Sequence, residues 1–391
     1  MLPSSSPSKA RTVLLGALIA CVVSVTTAAL AATSGERPAK RPTFDLQAHR
    51  GGLALRPEST LPAFANAMRI GVSTIEMDVQ ITEDREAVIT HDRQVSPVKC
   101  QDTAPVYPGD PEFPYVGKYI NTLTLAQVRT LDCGTRRPAD PRTDPYLPTL
   151  VMTPGERMPT LPRVLEFVKR YGHRDLKLNI ETKVEAGAPH ETAPREQFVR
   201  VVAQELRRAR MLDRVTIQSF DWGALMRMGE VEPRLPLVAL VVPNFLQVGQ
   251  PGASPWLGGI DIDDFGGNLV AGVHSFGADA LSPVHGNPQN GKIGDPSYAP
   301  YTTPAMVAAA HRAGIPVVPW TIDDPATMGS LIDAGVDGII TDYPDRLRAV
   351  LAERGMRLPE PVREPRGRDC VAAADSGLDG RHDDRDHEDA D

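Results

Sequence analysis

The 391-residue chain reads as an α/β protein, a (β/α)8 TIM barrel carrying one inserted subdomain between its early strands. Short β-branched or apolar runs alternate with helical segments, the pattern of parallel strands covered by helices. Eight such runs fit into about 310 residues, more strands than a doubly wound sheet usually has. Charged residues recur where those runs end, and a barrel gathers its chemistry at the C-terminal ends of its strands.

The elements follow in order. Lys9 and Arg11 precede an apolar run from Val13 to Leu30, and Ala29-Leu30-Ala31 offers small residues for cleavage, so residues 1–31 read as an export signal. A permanent membrane anchor is the alternative, and the Ala, Thr and Ser that dilute the second half of the run weigh against it. Leu18-Ile19-Ala20-Cys21 resembles a lipobox that would leave an acylated Cys21, although the run's continuation for nine residues beyond it, to Leu30, fits that poorly. Either way the protein works outside the cytosol, in the extracellular or periplasm/cell-wall space, with no permanent span in the mature chain. Residues 32–43 read as a linker.

The barrel is expected over 44–358. Its strands lie near 44–49, 73–79, 176–181, 214–219, 236–242, 279–282, 315–320 and 337–341. Helices are expected at 60–70, capped by Ser59 or Thr60, and at 160–171, 195–209, 222–229, 303–313, 325–334 and 345–354. The insertion spans about 93–160. Within it Cys100 and Cys133 bound a stretch rich in Pro, Gly and Asp, which an oxidising compartment would let them close as a disulfide. From Pro359 onward the chain reads as a disordered acidic tail, with eleven acids against five Arg. Cys370 in that tail has no evident partner, and His382 and His387 there read as solvated.

Net charge is -8 for the whole chain, which argues against affinity built on neutralising nucleic-acid phosphates. Removal of Lys9 and Arg11 with the signal would make the mature chain more acidic still. An anionic substrate would then have to be held by local charges.

The strand ends supply such charges. Strand one ends in Gln47-Ala48-His49-Arg50-Gly51-Gly52, and strand two in Ile75-Glu76-Met77-Asp78, whose two acids share one side at period two. The run Ala87–Thr90 delivers His91 and Asp92; further on come Asn179-Ile180-Glu181-Thr182-Lys183, Gln218-Ser219-Phe220 and Thr341-Asp342. Glu76, Asp78 and Glu181, with Glu58 just beyond strand one as a possible metal-shell residue, offer hard oxygen ligands suited to Ca²⁺ or Mg²⁺. Arg50 and Lys183 offer positive charge for a phosphoryl group. Two imidazoles, one divalent cation and two cationic side chains describe a phosphodiester-cleaving site, with His49 and His91 moving protons. His173, His190, His274, His285 and His311 read as structural or surface residues. Gly286–Lys292, GNPQNGK, nearly spells a phosphate-binding loop, but Ile293 replaces the hydroxyl residue and no strand-to-helix context surrounds it.

AHRGG with RPEST eight residues on, then IEMDVQITEDREAVITHD, NIETK, QSF, VPWTID and DGIITDYPD, resembles the glycerophosphodiester phosphodiesterase family in order, spacing and context from about Phe44 to Leu351. The resemblance implies a TIM barrel with a metal site that hydrolyses glycerophosphodiesters to glycerol 3-phosphate and an alcohol. It also implies His49 and His91 as the acid and base pair, Glu76, Asp78 and Glu181 as metal ligands, and Arg50, Glu58 and Lys183 around phosphate and metal. Trp320 matches an aromatic position lining the substrate pocket. One departure is Ser59, where the family commonly has Asn; Ser59 is expected to cap the next helix still. A sphingomyelinase-D-like or phosphoinositide-specific phospholipase-like enzyme is the runner-up, disfavoured by the Trp320 block. A non-catalytic surface binding protein on the same barrel is disfavoured by the intact histidines and acids. A small-molecule substrate is expected, and no nucleic acid.

Overall fold

Strands that are buried on both faces need apolar residues toward the outer helices and tolerate polar ones only where these pair inside the ring. A computed structural model describes residues 43–362 and shows this arrangement. The export signal, Cys21, all but Thr43 of the linker, and the tail beyond Val362 with Cys370, His382 and His387 lie outside the described residues. Along the chain run β1 (Asp45–Ala48), β2 (Thr74–Ile81), β3 (Ala87–Ile89), β4 (Lys177–Thr182), β5 (Val215–Ser219), β6 (Leu237–Val241), β7 (Ala280–Pro283), β8 (Gly286–Asn287), β9 (Ala299–Pro300) and β10 (Gly338–Thr341). Seven form one parallel path, β10-β1-β2-β4-β5-β6-β7, with β3 antiparallel on β2.

The segment 315–320, expected as a strand, is not a regular one. It nevertheless fills the gap between the two ends of the path. On one side Val318 and Trp320 donate backbone N–H bonds to Leu281 and Pro283 at 2.9 and 3.1 Å, and Leu281 donates to Pro316. On the other, Asp337 and Ile340 donate to Val317 and Pro319 at 2.9 and 3.0 Å. Pro316 and Pro319 accept but cannot donate, so the ladder is interrupted although the chain lies in place. The result is a TIM-barrel-like α/β fold.

All eight residues of β2 are buried. Ile75, Met77, Val79 and Ile81 belong to the main apolar core, and the alternating Glu76, Asp78 and Gln80 face the other way. Register aligns β2 with β4 so that Asp78 stands beside Glu181, and β4 with β5 so that Glu181 stands beside Gln218. Helices at Leu61–Ile70, Leu161–Arg170, Arg195–Ala209, Trp222–Val231, Pro304–Arg312, Pro325–Asp333 and Pro344–Glu353 cover the sheet. Several begin at a side-chain cap, including Thr60, Thr160, Asp221, Thr303 and Asp324. Ser59 is not the cap that the sequence suggests: Thr60 accepts from Ala63 N–H, while Ser59 sits in the left-handed region with φ 60° and its buried hydroxyl has no partner.

Val88 of β3 and, from the chain between β3 and β4, Val95, Tyr115, Ile120, Leu123, Val128, Leu131 and Met158 build a second, small apolar cluster, joined by the Cys100–Cys133 disulfide. Past the last helix, Val362 N–H donates to Met68 O at 2.9 Å, and Arg348 Nη1 reaches Pro359 O at 2.7 Å. The first residues assigned to the tail therefore pack against the helix at 61–70.

Candidate active site

β1 ends in a turn that only glycine-rich sequence can make. Arg50, Gly51 and Gly52 all have positive φ, and a Cβ on Gly51 would lie 2.9 Å from Ala63 Cβ and Phe64 Cδ1. The turn brings Arg50 over β2. Its backbone N–H donates to Glu76 Oε2 at 2.8 Å, its Nε lies 3.1 Å from Asp78 Oδ2, and its Nη1 lies 3.0 Å from Glu58 Oε1. A left-handed non-glycine residue in such a place is strain held by its surroundings.

Glu76, Asp78 and Glu181 come together as a buried carboxylate group, each offering an oxygen within 4.8 Å of the others. Their partners differ. Glu76 also accepts from Gln218 Nε2 at 2.8 Å, the end of an amide chain in which Asn179 Nδ2 donates to both Gln218 and Gln47. Glu181 pairs with Lys183 Nζ at 2.7 Å. Both Asp78 oxygens are buried and accept no hydrogen bond; Arg50 Nε and Lys183 Nζ, at 3.1 and 3.8 Å, approach only as charges. Burial and the neighbouring Asp78 drive the Glu76 carboxyl well above its ordinary range. Burial likewise pushes Glu181 up to about 8, against the pull of Lys183. Asp78 goes the opposite way: burial would raise it, and Arg50, His91 and Lys183 together hold it below. Crowded buried carboxylates with unfilled acceptor sites suit a hard divalent cation, which satisfies all three at once.

Glu58 stands apart from this group. It accepts charge from Arg50 and from Lys99 Nζ at 2.8 Å, and these cations keep its carboxyl low although burial opposes them.

His49 and His91 face the same space from β1 and from just past β3. His49 Nδ1 lies 2.5 Å from Asp342 Oδ1, and His91 Nδ1 lies 2.7 Å from Asp92 Oδ1. An ionised carboxylate only accepts, so in each pair Nδ1 carries the proton and Nε2 is left for other work. Asp342 is ionised: burial alone would raise its pKa, but His49 and Tyr146 hold it down. Burial, then Arg50 and Lys183, push His91 well below the usual imidazole value.

Sequence reasoning noticed Asp342 at a strand end but gave it no role. It missed Tyr146, which donates to Asp342 Oδ2 at 2.8 Å, Asp323, which accepts from Asp342 N–H at 2.9 Å, and Lys99, which bridges Glu58 and Asp92. Tyr146 and Lys99 come from the long β3–β4 connection, where no periodicity marks a side chain that will reach the barrel. Trp320 lines the same space, its Nε1–H on Ser282 O at 2.9 Å and its ring edge-on to Phe220 at 5.4 Å. Phe220 in turn meets Phe245, which stacks on Trp256 at 4.0 Å. A cavity of about 700 Å³ is lined by His49, Arg50, Glu76, His91, Glu181 and Lys183 together with these aromatic residues, and the two sets meet where Lys183 Nζ lies 5.8 Å from the Phe220 ring.

The profile of the glycerophosphoryl diester phosphodiesterase family matches residues 49–346. A glycerophosphodiester phosphodiesterase of Caldanaerobacter subterraneus subsp. tengcongensis is 26% identical over 308 residues, covering 79% of this chain and 98% of its own length. A solved structure from Silicibacter pomeroyi, assigned to the same family, is 28% identical with a TM-score of 0.64 and covers 81% of this chain and 96% of that one. The fold is also that of an Oleispira antarctica phosphodiesterase solved with its product sn-glycerol-3-phosphate, with a TM-score of 0.54 at 20% identity over 78% of this chain and 96% of that one. Match, coverage and site geometry lead to one conclusion: the chain belongs to the glycerophosphoryl diester phosphodiesterase family.

Proposed function

We propose that this protein hydrolyses glycerophosphodiesters to glycerol 3-phosphate and an alcohol, with a histidine pair moving the protons. The observation that carries the reading is the convergence of His49, His91, Arg50, Lys183 and the Glu76/Asp78/Glu181 group on one cavity. Glu76, Asp78 and Glu181 would hold the cation, and their all-oxygen donor set favours Ca²⁺ or Mg²⁺. When bound, that cation supplies positive charge to stabilise the phosphorane-like transition state.

The side chains divide the remaining work. Arg50 and Lys183 hold the phosphodiester by charge and fork geometry. His91, kept neutral, takes the proton from a glycerol hydroxyl as its oxygen attacks phosphorus. The bond from phosphorus to the leaving alcohol breaks, and His49 Nε2 delivers the proton that the alkoxide needs. Asp342, ionised against His49 Nδ1, balances the charge of the protonated ring before that transfer. Water then opens the resulting cyclic phosphate with the two rings in exchanged roles. Trp320 and Phe220 provide an apolar wall that limits water beside the reacting phosphate.

Two further readings go with this one. The 93–160 segment is an insertion that shapes the site, supported by Tyr146 and Lys99 reaching the histidine pairs. Residues 1–31 serve export, and the Cys100–Cys133 disulfide suits an oxidising compartment. The test is release of glycerol 3-phosphate from a panel of glycerophosphodiesters beginning with glycerophosphocholine. Stoichiometric release of glycerol 3-phosphate and alcohol is expected; none from any member of the panel would overturn the reading.

A further inference from the structure

A second cavity, of about 520 Å³, is also lined by His49. The two cavities share four lining residues: His49, Arg50, Gln289 and Thr321. Under the hydrolase reading, on which this inference rests, His49 and Arg50 touch the leaving oxygen and the phosphate. The shared wall is then the neck where phosphorus sits, and the chambers take the two ester arms. Gln289 stands at that neck with no part assigned to it.

Gln289 belongs to the GNPQNGK stretch, and the structure explains why that stretch imitates a phosphate loop. Its glycines serve the packing of Tyr298. A Cβ on Gly286 would lie 2.2 Å from Tyr298 Cε2, and one on Gly291 would lie 3.0 Å from Tyr298 Cδ2. The stretch begins in a two-residue ladder with Ala299 and Pro300, and its far end is tied where Ile293 N–H donates to Thr327 Oγ1 at 3.1 Å. Just ahead of the ladder His285, 2% exposed, fixes the tip. Its Nε2 lies 2.7 Å from Gln289 O and its Nδ1 lies 2.9 Å from Tyr298 Oη. One tautomer satisfies both: Nε2–H donates to the carbonyl, and the phenol donates to Nδ1. The backbone N–H of His285 also donates to Trp320 O at 3.0 Å, so the tip and the aromatic wall are held by one residue. His285, which sequence reasoning set aside as structural or surface, is thus buried behind an exposed residue of the cavity rim.

We propose that the Gln289 side-chain amide contacts the substrate at the neck, donating an N–H to a phosphodiester oxygen, and that His285 is a positioning residue that sets it there. A neutral donor at this point adds a hydrogen bond to an anion without adding a charge that must be compensated.

Steady-state kinetics with glycerophosphocholine and glycerophosphoglycerol test this. Gln289→Ala removes a hydrogen bond to a charged group, so KM should rise about 10-fold on both substrates with kcat within about 3-fold. Gln289→Glu should raise KM further, because it sets a carboxylate against the phosphate, while Gln289→Asn should fall between wild type and Ala. His285→Phe should reproduce the KM rise, and His285→Gln, whose amide N–H can again meet Gln289 O, should recover part of it. Gln289 is exposed, so its variants decide the matter even where His285→Phe fails to fold. KM within about twofold of wild type for both Gln289→Ala and Gln289→Glu would overturn the inference while leaving the hydrolase reading intact. Absence of turnover by the wild type on every glycerophosphodiester would overturn both.

Discussion

On β1, β2 and β4 the strand ends carry His49, Arg50, Glu76, Asp78, Glu181 and Lys183, whereas the loops after β5 and β6 and the 315–320 segment carry Phe220, Val242, Phe245 and Trp320. The same barrel mouth is charged where β1, β2 and β4 end and aromatic where β5, β6 and the 315–320 segment end, and the two parts meet where Lys183 Nζ lies 5.8 Å from the Phe220 ring. The two halves make opposite demands on stability. Aromatic residues there gain from burial and from edge-to-face contact. Buried carboxylates crowd one another, lean on Arg50 and Lys183, and leave both Asp78 oxygens without a hydrogen-bond donor. A protein keeps such an arrangement where the cost returns as chemistry. The charged half is the part proposed to react, and the aromatic half the part proposed to fit.

The largest expected effect is on the charged side. His91→Ala and His49→Ala should each lower kcat about 10²- to 10⁴-fold while circular dichroism and thermal unfolding stay near wild type. Normal turnover by either variant would remove that histidine from the proton-transfer step. On the aromatic side Trp320→Leu should act through binding, with kcat/KM lower by about tenfold and most of the change in KM. A loss carried mainly in kcat would show that the two halves do not divide the work in this way.

Asp323 tests how far the charged half extends. Burial and the nearby Asp342 push its pKa up from 3.8 to about 7. The folded protein therefore holds this proton more tightly than the unfolded chain. The contribution is favourable below about pH 4 and is lost as pH rises through about 7. Asp323→Asn should consequently gain melting temperature relative to wild type between pH 5 and pH 8, and parallel melting curves across that range would contradict the assignment. The smallest effect concerns Ser59. Its φ of 60° is unfavourable for a residue with a Cβ, so Ser59→Gly should stabilise the protein by about 1 kcal/mol in chemical denaturation. No gain would mean that the turn is not strained there.

Much of this was legible in the sequence because it rests on local pattern. Period-two alternation marked Glu76 with Asp78, the runs of apolar residues marked every strand of the parallel path, and ordered short motifs marked His49, His91 and Trp320. What escaped depends on contacts between distant segments. Pro316 and Pro319 break the ladder of the 315–320 segment although its neighbours hold it in place. Tyr146 meets Asp342 across 196 residues, and no spacing rule links them. Glu58 sits near the acids in sequence but turns to Arg50 and Lys99, a choice set by which cations surround it. Ser59 has a capping residue's chemistry, yet its left-handed backbone hands the cap to Thr60.

The central claim is that Glu76, Asp78 and Glu181 hold a divalent cation that hydrolysis needs. Calorimetric titration of Ca²⁺ and Mg²⁺ into chelator-treated wild type and Asp78→Asn, with glycerol 3-phosphate release followed at each point, tests it most directly. One ion per wild-type chain is predicted, with turnover rising in step with occupancy, and Asp78→Asn should lose both. Full turnover by wild type carrying no ion, or wild-type binding and turnover by Asp78→Asn, would contradict the claim.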